Sequence, residues 1–244
     1  MTLEFLAPDA AVEFDGTRPP LRSPIEWMHR RDGAAFTERE GGRVVTDFGA
    51  ADEEAAACRN AAGVADLSHL GKLELQAEPE TAAAIVAQLA DGATLAPGQA
   101  VHADGVWWCP VTPSRVLAVS PPERAADVRD ALEAVASDAG LATVNELTTA
   151  FGSNAVAGPL AREAFARTTA LDLRPDRFAE GGFAPVSVAR TAGMILREGG
   201  DRFLHLFGSG YAQYVWTVFI DAAEHLGGRA VGTTALEREA GAGA

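Results

Sequence analysis

Between Lys72 and Leu147 the sequence switches repeatedly between the strand period and the helix period, and that order constrains the fold more than any other feature. "KLELQ" alternates as a strand, and "PETAAAIVAQLADG" opens on proline and closes on glycine as helices do. "GQAVHADGVWWCP" centres on Asp104-Gly105, a strong hairpin signal. "SRVLAVS" reads as a strand, "PPERAADVRDALEAVASDAG" as an amphipathic helix with Ala126, Val128, Leu132 and Val135 near one face, and "LATVNEL" as a closing strand. Strand, helix, strand, strand, helix, strand is the order of a split βαβ sandwich.

A similar order returns with no repeat at the level of residues. "SNAVAG" is a strand, "PLAREAFARTT" a helix begun by Pro159, and "FAPVSVART" and "AGMILRE" are strands flanking Thr191. "DRFLHLF" is another strand and "GSGYAQYVWTVFIDAAEHLGG" a helix closed by glycines. Ahead of both units lie an extended arm over 1–22, a short helical turn and hairpin in "IEWMHRRDGAAFTEREGGRVVTDFG", and a helix in "ADEEAAACRNAAG" with Gly63 placed as its C-terminal cap. The tail "EREAGAGA", 237–244, is expected to be disordered. The fold class is therefore α+β, with two packed split-βαβ-like sheet-and-helix lobes, approximately 66–148 and 23–65 plus 149–236.

Composition excludes several function classes. A net charge of -14 argues against nucleic acid, whose phosphates would have to be met by a basic face. The N-terminal stretch has acids within its apolar run and no basic start, unlike a signal peptide, and no apolar run approaches the length of a membrane span. The expected location is the cytoplasm, with neither nucleic acid nor membrane as partner. Cys58 and Cys109 match no metal or redox spacing and read as reduced structural thiols, while His29, His69, His102, His205 and His225 are scattered without metal-ligand spacing. No metal site is expected. The glycine-rich pieces lack the order of a phosphate loop.

One short stretch concentrates chemistry. "GVADLSHLGKLELQ" sets Asp66, Ser68 and His69 within four residues, just before Lys72, the one lysine in the chain. Triad members usually converge from separate segments, and side chains in a strand approach alternate faces, so hydrolase chemistry is disfavoured. Asp66 is a weak catalytic candidate whose alternative role is turn capping. The stretch is expected at the junction of the lobes, lining a central cavity. Trp107-Trp108 reads as one ring in the core and one at an interface. Tyr211, Tyr214, Trp216, Phe219 and Ile220 form an aromatic arc wider than one packed face requires, which points to association.

These pieces carry a family resemblance. "SPIEWMHRRDGAAF", "EAAACRNAAGVADLSHLGKLEL" and "LAPGQA" resemble the start of the glycine-cleavage T-protein (aminomethyltransferase) family. From about Val106, "VWWCPVTPSRVLAVSP", "AVAGPLAREAFARTTALDLRPDRFAEGGFAPVSVART", "MILREGGDRFLHLF" and "YAQYVWTVFIDAAEHLG" look like the gamma subunit of heterotetrameric sarcosine oxidase. The resemblance implies the folate-binding T-protein fold, without that family's C-terminal barrel. It also implies a folate-type pocket drawing on Ser68, His69, Lys72 and Arg190.

The departures shape the functional expectation. The T-protein segment that supplies its catalytic aspartate is missing from "VHADGVWWCPVTPSR", leaving Asp104 as a hairpin residue, and Leu204 stands where the family carries a pterin-binding glutamate. Without carboxylates to hold the pterin edge and a developing cation, independent folate catalysis is not expected. The resemblance thus implies a subunit of a sarcosine-oxidase-type amine-oxidising flavoprotein complex in one-carbon metabolism, not catalytic by itself. Such a subunit would associate with flavoprotein oxidase subunits or with itself, with tetrahydrofolate as a possible ligand and FAD only through the partner. The alternatives are a stand-alone tetrahydrofolate-dependent aminomethyltransferase or demethylase, and a folate-binding regulatory protein of the same fold.

Overall fold

A computed structural model describes residues 21–242, so the expected arm over 1–22 lies almost wholly outside the described residues. In chain order the elements are α1 (Glu26–Arg31), β1 (Ala35–Arg39), β2 (Gly42–Asp47), α2 (Ala51–Asn60), β3 (Gly63–Asp66), β4 (Gly71–Ala77) and α3 (Pro79–Leu89). There follow β5 (Val101–Ala103), β6 (Val106–Thr112), β7 (Arg115–Ser120), α4 (Ala125–Asp138), β8 (Ala142–Glu146), β9 (Phe151–Ala157) and α5 (Ala161–Ala166). The chain continues with β10 (Phe183–Val188), β11 (Thr191–Gly199), β12 (Arg202–Gly208), α6 (Ala212–Glu224), β13 (Arg229–Ala230) and α7 (Thr233–Ala242).

Two sheets result. One has the order β5-β6-β7-β4-β8, the split βαβ arrangement with the β5–β6 hairpin extending its edge. Asp104 and Gly105 both take positive φ at that hairpin, 48° and 75°, as a two-residue turn between twisted strands requires. The other sheet has the order β10-β11-β12-β9-β3-β13 and repeats the frame, with β10 added at one edge and β3 inserted between β9 and β13. A separate β1–β2 hairpin completes the strands.

The core forms three layers of contact. Leu73 and Leu75 of β4 pack with Ile85 and Leu132 of α3 and α4 on the outer face of the first sheet. Val64, Val156, Phe203 and Phe207 of the second sheet pack beneath Phe165, Trp216 and Phe219 of α5 and α6. Between the sheets lie Cys109, Leu117 and Val119 against Leu196, Leu204 and Leu206. Each buried aliphatic or aromatic side chain contributes about 1.5–3 kcal/mol, so the sheet-to-sheet layer is an adhesive core rather than a space. Both cysteines are free and buried. No helix among the described residues is long and apolar enough to cross a membrane.

Three sequence expectations change. Gly63 does not cap α2, which stops at Asn60; it begins β3, where a Cβ would come 2.5 Å from the Cys58 Sγ. The tail expected to be disordered is helical as far as Ala242. Leu236 of α7 is buried in the core cluster that also holds Ala55 and Cys58 of α2, and Glu237, Arg238 and Glu239 pair with Arg39, Asp52 and Arg59. The aromatic arc divides: Trp216 and Phe219 are core residues, while Tyr211 and Tyr214 are exposed. Trp108 is buried and Trp107 half-buried against the His102 ring, at 4.5 Å between centroids.

Candidate functional site

The chain crosses from one sheet to the other at 67–70, between β3 and β4, so the chemistry-bearing stretch does sit at the junction. Gly71 is fixed there by space, because a Cβ would lie 2.6 Å from the Ala125 Cβ of α4. The crossover is stitched to β9: the Ser153 N–H donates to Ser68 Oγ at 3.2 Å and the Ser153 hydroxyl to the Leu67 carbonyl at 2.7 Å.

Asp66 is the hub. Its Oδ1 accepts the Ser68 N–H at 2.8 Å, the local Asx turn that short acidic side chains form. Its Oδ2 accepts the Ser23 hydroxyl and lies 2.7 Å from His29 Nε2. Burial raises the carboxyl pKa, but the His29 contact, then the Ser23 and Ser68 hydrogen bonds, outweigh it and hold the group well below the usual carboxylate range. In a hydrolytic triad the imidazole stands between serine and acid; here the carboxylate stands between serine and imidazole, so Ser23 is not activated. The Trp216 ring meets His29 edge-on, with centroids 4.7 Å apart.

Lys72 is fully buried, and its Nζ donates to the Ser68 and Leu70 carbonyls at 3.0 and 2.9 Å. Burial depresses its pKa to about 7, against the raising influence of Asp66 and Glu146. His69 is half-buried and depressed to about 4, first by burial, with Lys72 and Arg39 adding to the effect against Asp66 and Glu123. Lys72 thus binds the backbone of the crossover itself, while the Ser68 hydroxyl binds the backbone of β9.

Arg190 does not join them. It is exposed at the β10–β11 turn, and three strands separate β10 from β3, about 19 Å at ordinary strand spacing. Sequence reasoning missed His29 and Ser23 as partners of Asp66; the one signal in the sequence was a histidine on the buried side of the short helix after "RSP".

Neither of the two positions singled out by the resemblance presents a free carboxylate to a pterin. Leu204 is fully buried in the inter-sheet layer, and Asp104 is at an exposed hairpin tip, bonded to Arg124 at 2.6 Å. The crossover does not line the hollow found at the sheet junction. That hollow, about 480 Å³, is bounded by Pro97, Pro110, Pro113, Phe183 and Pro185, and Thr112 supplies its one polar side chain. Among the described residues no cluster of three or more His, Cys, Asp or Glu side chains is placed to hold a metal ion.

Comparison with known proteins supplies the family context. The GCVT N-terminal domain profile matches residues 25–239. A probable aminomethyltransferase of Halobacterium salinarum is 43% identical over 53 residues, 22% of this chain and 15% of the relative. The chain therefore aligns with only a small part of the curated relatives it matches. Among solved structures, heterotetrameric sarcosine oxidase from Corynebacterium sp. U-96 has a TM-score of 0.62 at 20% identity, covering 72% of this chain and 92% of that one. The glycine cleavage system aminomethyltransferase T from Bartonella henselae has a TM-score of 0.71 at 20% identity, covering 88% of this chain and 60% of that one. These likenesses establish the fold.

Proposed function

Because this chain belongs to the GCVT N-terminal domain family, we propose that it is the gamma-like subunit of a sarcosine-oxidase-type, amine-oxidising flavoprotein complex in one-carbon metabolism, and is not catalytic by itself. The observation that carries this reading is the apolar layer between the sheets, with Leu204 fully buried beside Leu196 and Leu206. A folate transferase needs carboxylates at its reacting centre. In this chain Asp66 is committed to Ser23, His29 and the Ser68 amide, and Lys72 to two carbonyls. Its residues hold a rigid two-sheet body, and the flavin belongs to the partner.

The test is purification of the native assembly through this chain. A stoichiometric flavoprotein oxidising a secondary amine is the expected companion. The reading fails if the lone chain transfers a one-carbon unit to tetrahydrofolate and Asp66→Asn abolishes that turnover. The stand-alone aminomethyltransferase remains the second reading, supported by the 43% identity to the Halobacterium relative over 53 residues.

A further inference from the structure

The segment "GPLAREAF…LDLRPDRF" has no task in the reading above, yet the fold gathers it into one corner. The Ala189 N–H donates to the Thr168 carbonyl at 2.8 Å, and the Thr169 hydroxyl donates to the Ser187 carbonyl at 2.8 Å. These bonds fasten the loop after α5 to the β10–β11 turn. A hollow of about 340 Å³ opens against α5, lined by Ala166, Leu171, Leu173 and Pro175 together with two arginine and two acidic side chains.

Arg167 and Arg190 flank this joint, each one residue away from the Thr168–Ala189 bond, and both are exposed. Among the described residues, every other arginine has an ion pair or a side-chain hydrogen bond, as Arg162 does with Asp201 and Arg174 with Asp172. The whole chain has 34 acids to 20 cations, but across 161–177 and 189–190 five arginines stand against three acids. The turn is also strained, with Ala189 at φ 49° and Arg190 at φ 60°, in a two-residue hairpin where Asn-Gly is the relaxed choice. Strain of this kind persists where a side chain is needed in that place.

We propose that this corner binds an acidic segment of a partner protein, with an apolar side chain in the hollow and carboxylates on Arg167 and Arg190. The guanidinium fork matches a carboxylate in shape and charge, and neither fork is neutralised from within the chain. The partner's identity as the flavoprotein rests on the subunit reading; the acidic chemistry of the segment does not.

The full chain is titrated into a fluorescein-labelled oligoglutamate peptide carrying one phenylalanine, and anisotropy is followed at low and high salt. Saturable binding is expected, weakened about tenfold or more by Arg167→Gln combined with Arg190→Gln, and by salt. Arg129→Gln, which removes an exposed arginine paired with Asp130 on α4, leaves it unchanged. Absence of saturable binding, or equal binding by the double variant, overturns the proposal. So does full displacement of the peptide by inorganic phosphate, which would make the corner a small-anion site. Either failure leaves copurification of a flavoprotein untouched, and absence of a flavoprotein leaves peptide binding untouched.

Discussion

His29 Nε2 and Asp66 Oδ2 lie 2.7 Å apart with both side chains almost wholly out of solvent, 0% and 3% exposed. The pair ties α1 to the last residue of β3, where the chain leaves one sheet for the other. It is therefore a structural clamp on the crossover. Asp66→Asn keeps the shape but removes the charge that His29, Ser23 and the Ser68 amide converge on. Loss of one partner from a buried pair costs about 3 kcal/mol. A denaturant midpoint unchanged by Asp66→Asn would show that the carboxylate contributes nothing. The folded pKa of Asp66 is depressed, so its contribution is complete above about pH 4 and is lost as pH falls below that.

Much of this fold was legible, because periodicity reports burial. Leu73 and Leu75 alternate as the strand pattern requires, and Val128 and Leu132 share the buried stripe of α4. Asp104-Gly105 turned where the backbone chemistry said it must. What stayed hidden depends on contacts distant in sequence. Asp66 meets His29 across 37 residues, and α7 is helical because Leu236 is buried in the cluster it shares with α2, although its glycine- and acid-rich composition reads as a tail. The folate-type pocket expected at Ser68, His69 and Lys72 was implied by the family resemblance, and sequence alone does not reveal where those side chains point. In the fold, Lys72 turns onto the carbonyls just before it and the Ser68 hydroxyl onto the Ser153 amide of β9.

Lys72 sets the response to alkaline pH. Its folded pKa of about 7 lies well below the ordinary lysine value near 10.4, so the unfolded chain binds more protons between them and stability rises with pH in that window. The cleanest interval is about pH 7 to 8.5, below the ordinary thiol pKa. Lys72→Met should flatten the slope there in urea titrations at several pH values. An identical slope in wild type and variant would refute the assignment. As the one lysine, Lys72 should also resist amine acylation in the folded protein and react fully once unfolded.

His205 faces the same helical layer from β12, in register with Asn154 of β9, which is itself in register with Asp66. Neither ring nitrogen has a protein partner, and burial pushes the imidazole pKa down to about 3. A depressed histidine favours the neutral folded form. Its contribution is present above the ordinary value near 6.5 and is lost as pH falls from there toward 3. His205→Leu removes an unpaired buried polar group with little change in bulk, so stability at pH 7 should hold or rise by about 1 kcal/mol, and the acid limb should flatten. A loss above about 2 kcal/mol would mean that the ring has a hydrogen-bonded partner such as an internal water.

The last expectation concerns α7 and Cys58. Leu236 and Glu239 of α7 and Cys58 of α2 line one recess, and burial with the nearby Glu239 charge raises the thiol pKa to about 11. The thiol is inert for two reasons, low access and a vanishing thiolate fraction, and both depend on the helix that the composition of the tail conceals. Truncation after Gly232 removes Leu236 from the core cluster it shares with Cys58, at a cost of about 3 kcal/mol by analogy with deleting a buried leucine, together with the Glu239–Arg59 pair. The shortened protein should fold less stably and titrate one thiol rapidly with a disulfide reagent, while Cys109, buried between the sheets, stays protected. If both thiols remain unreactive and the denaturant midpoint does not move, α7 is not the cover that holds Cys58 inert.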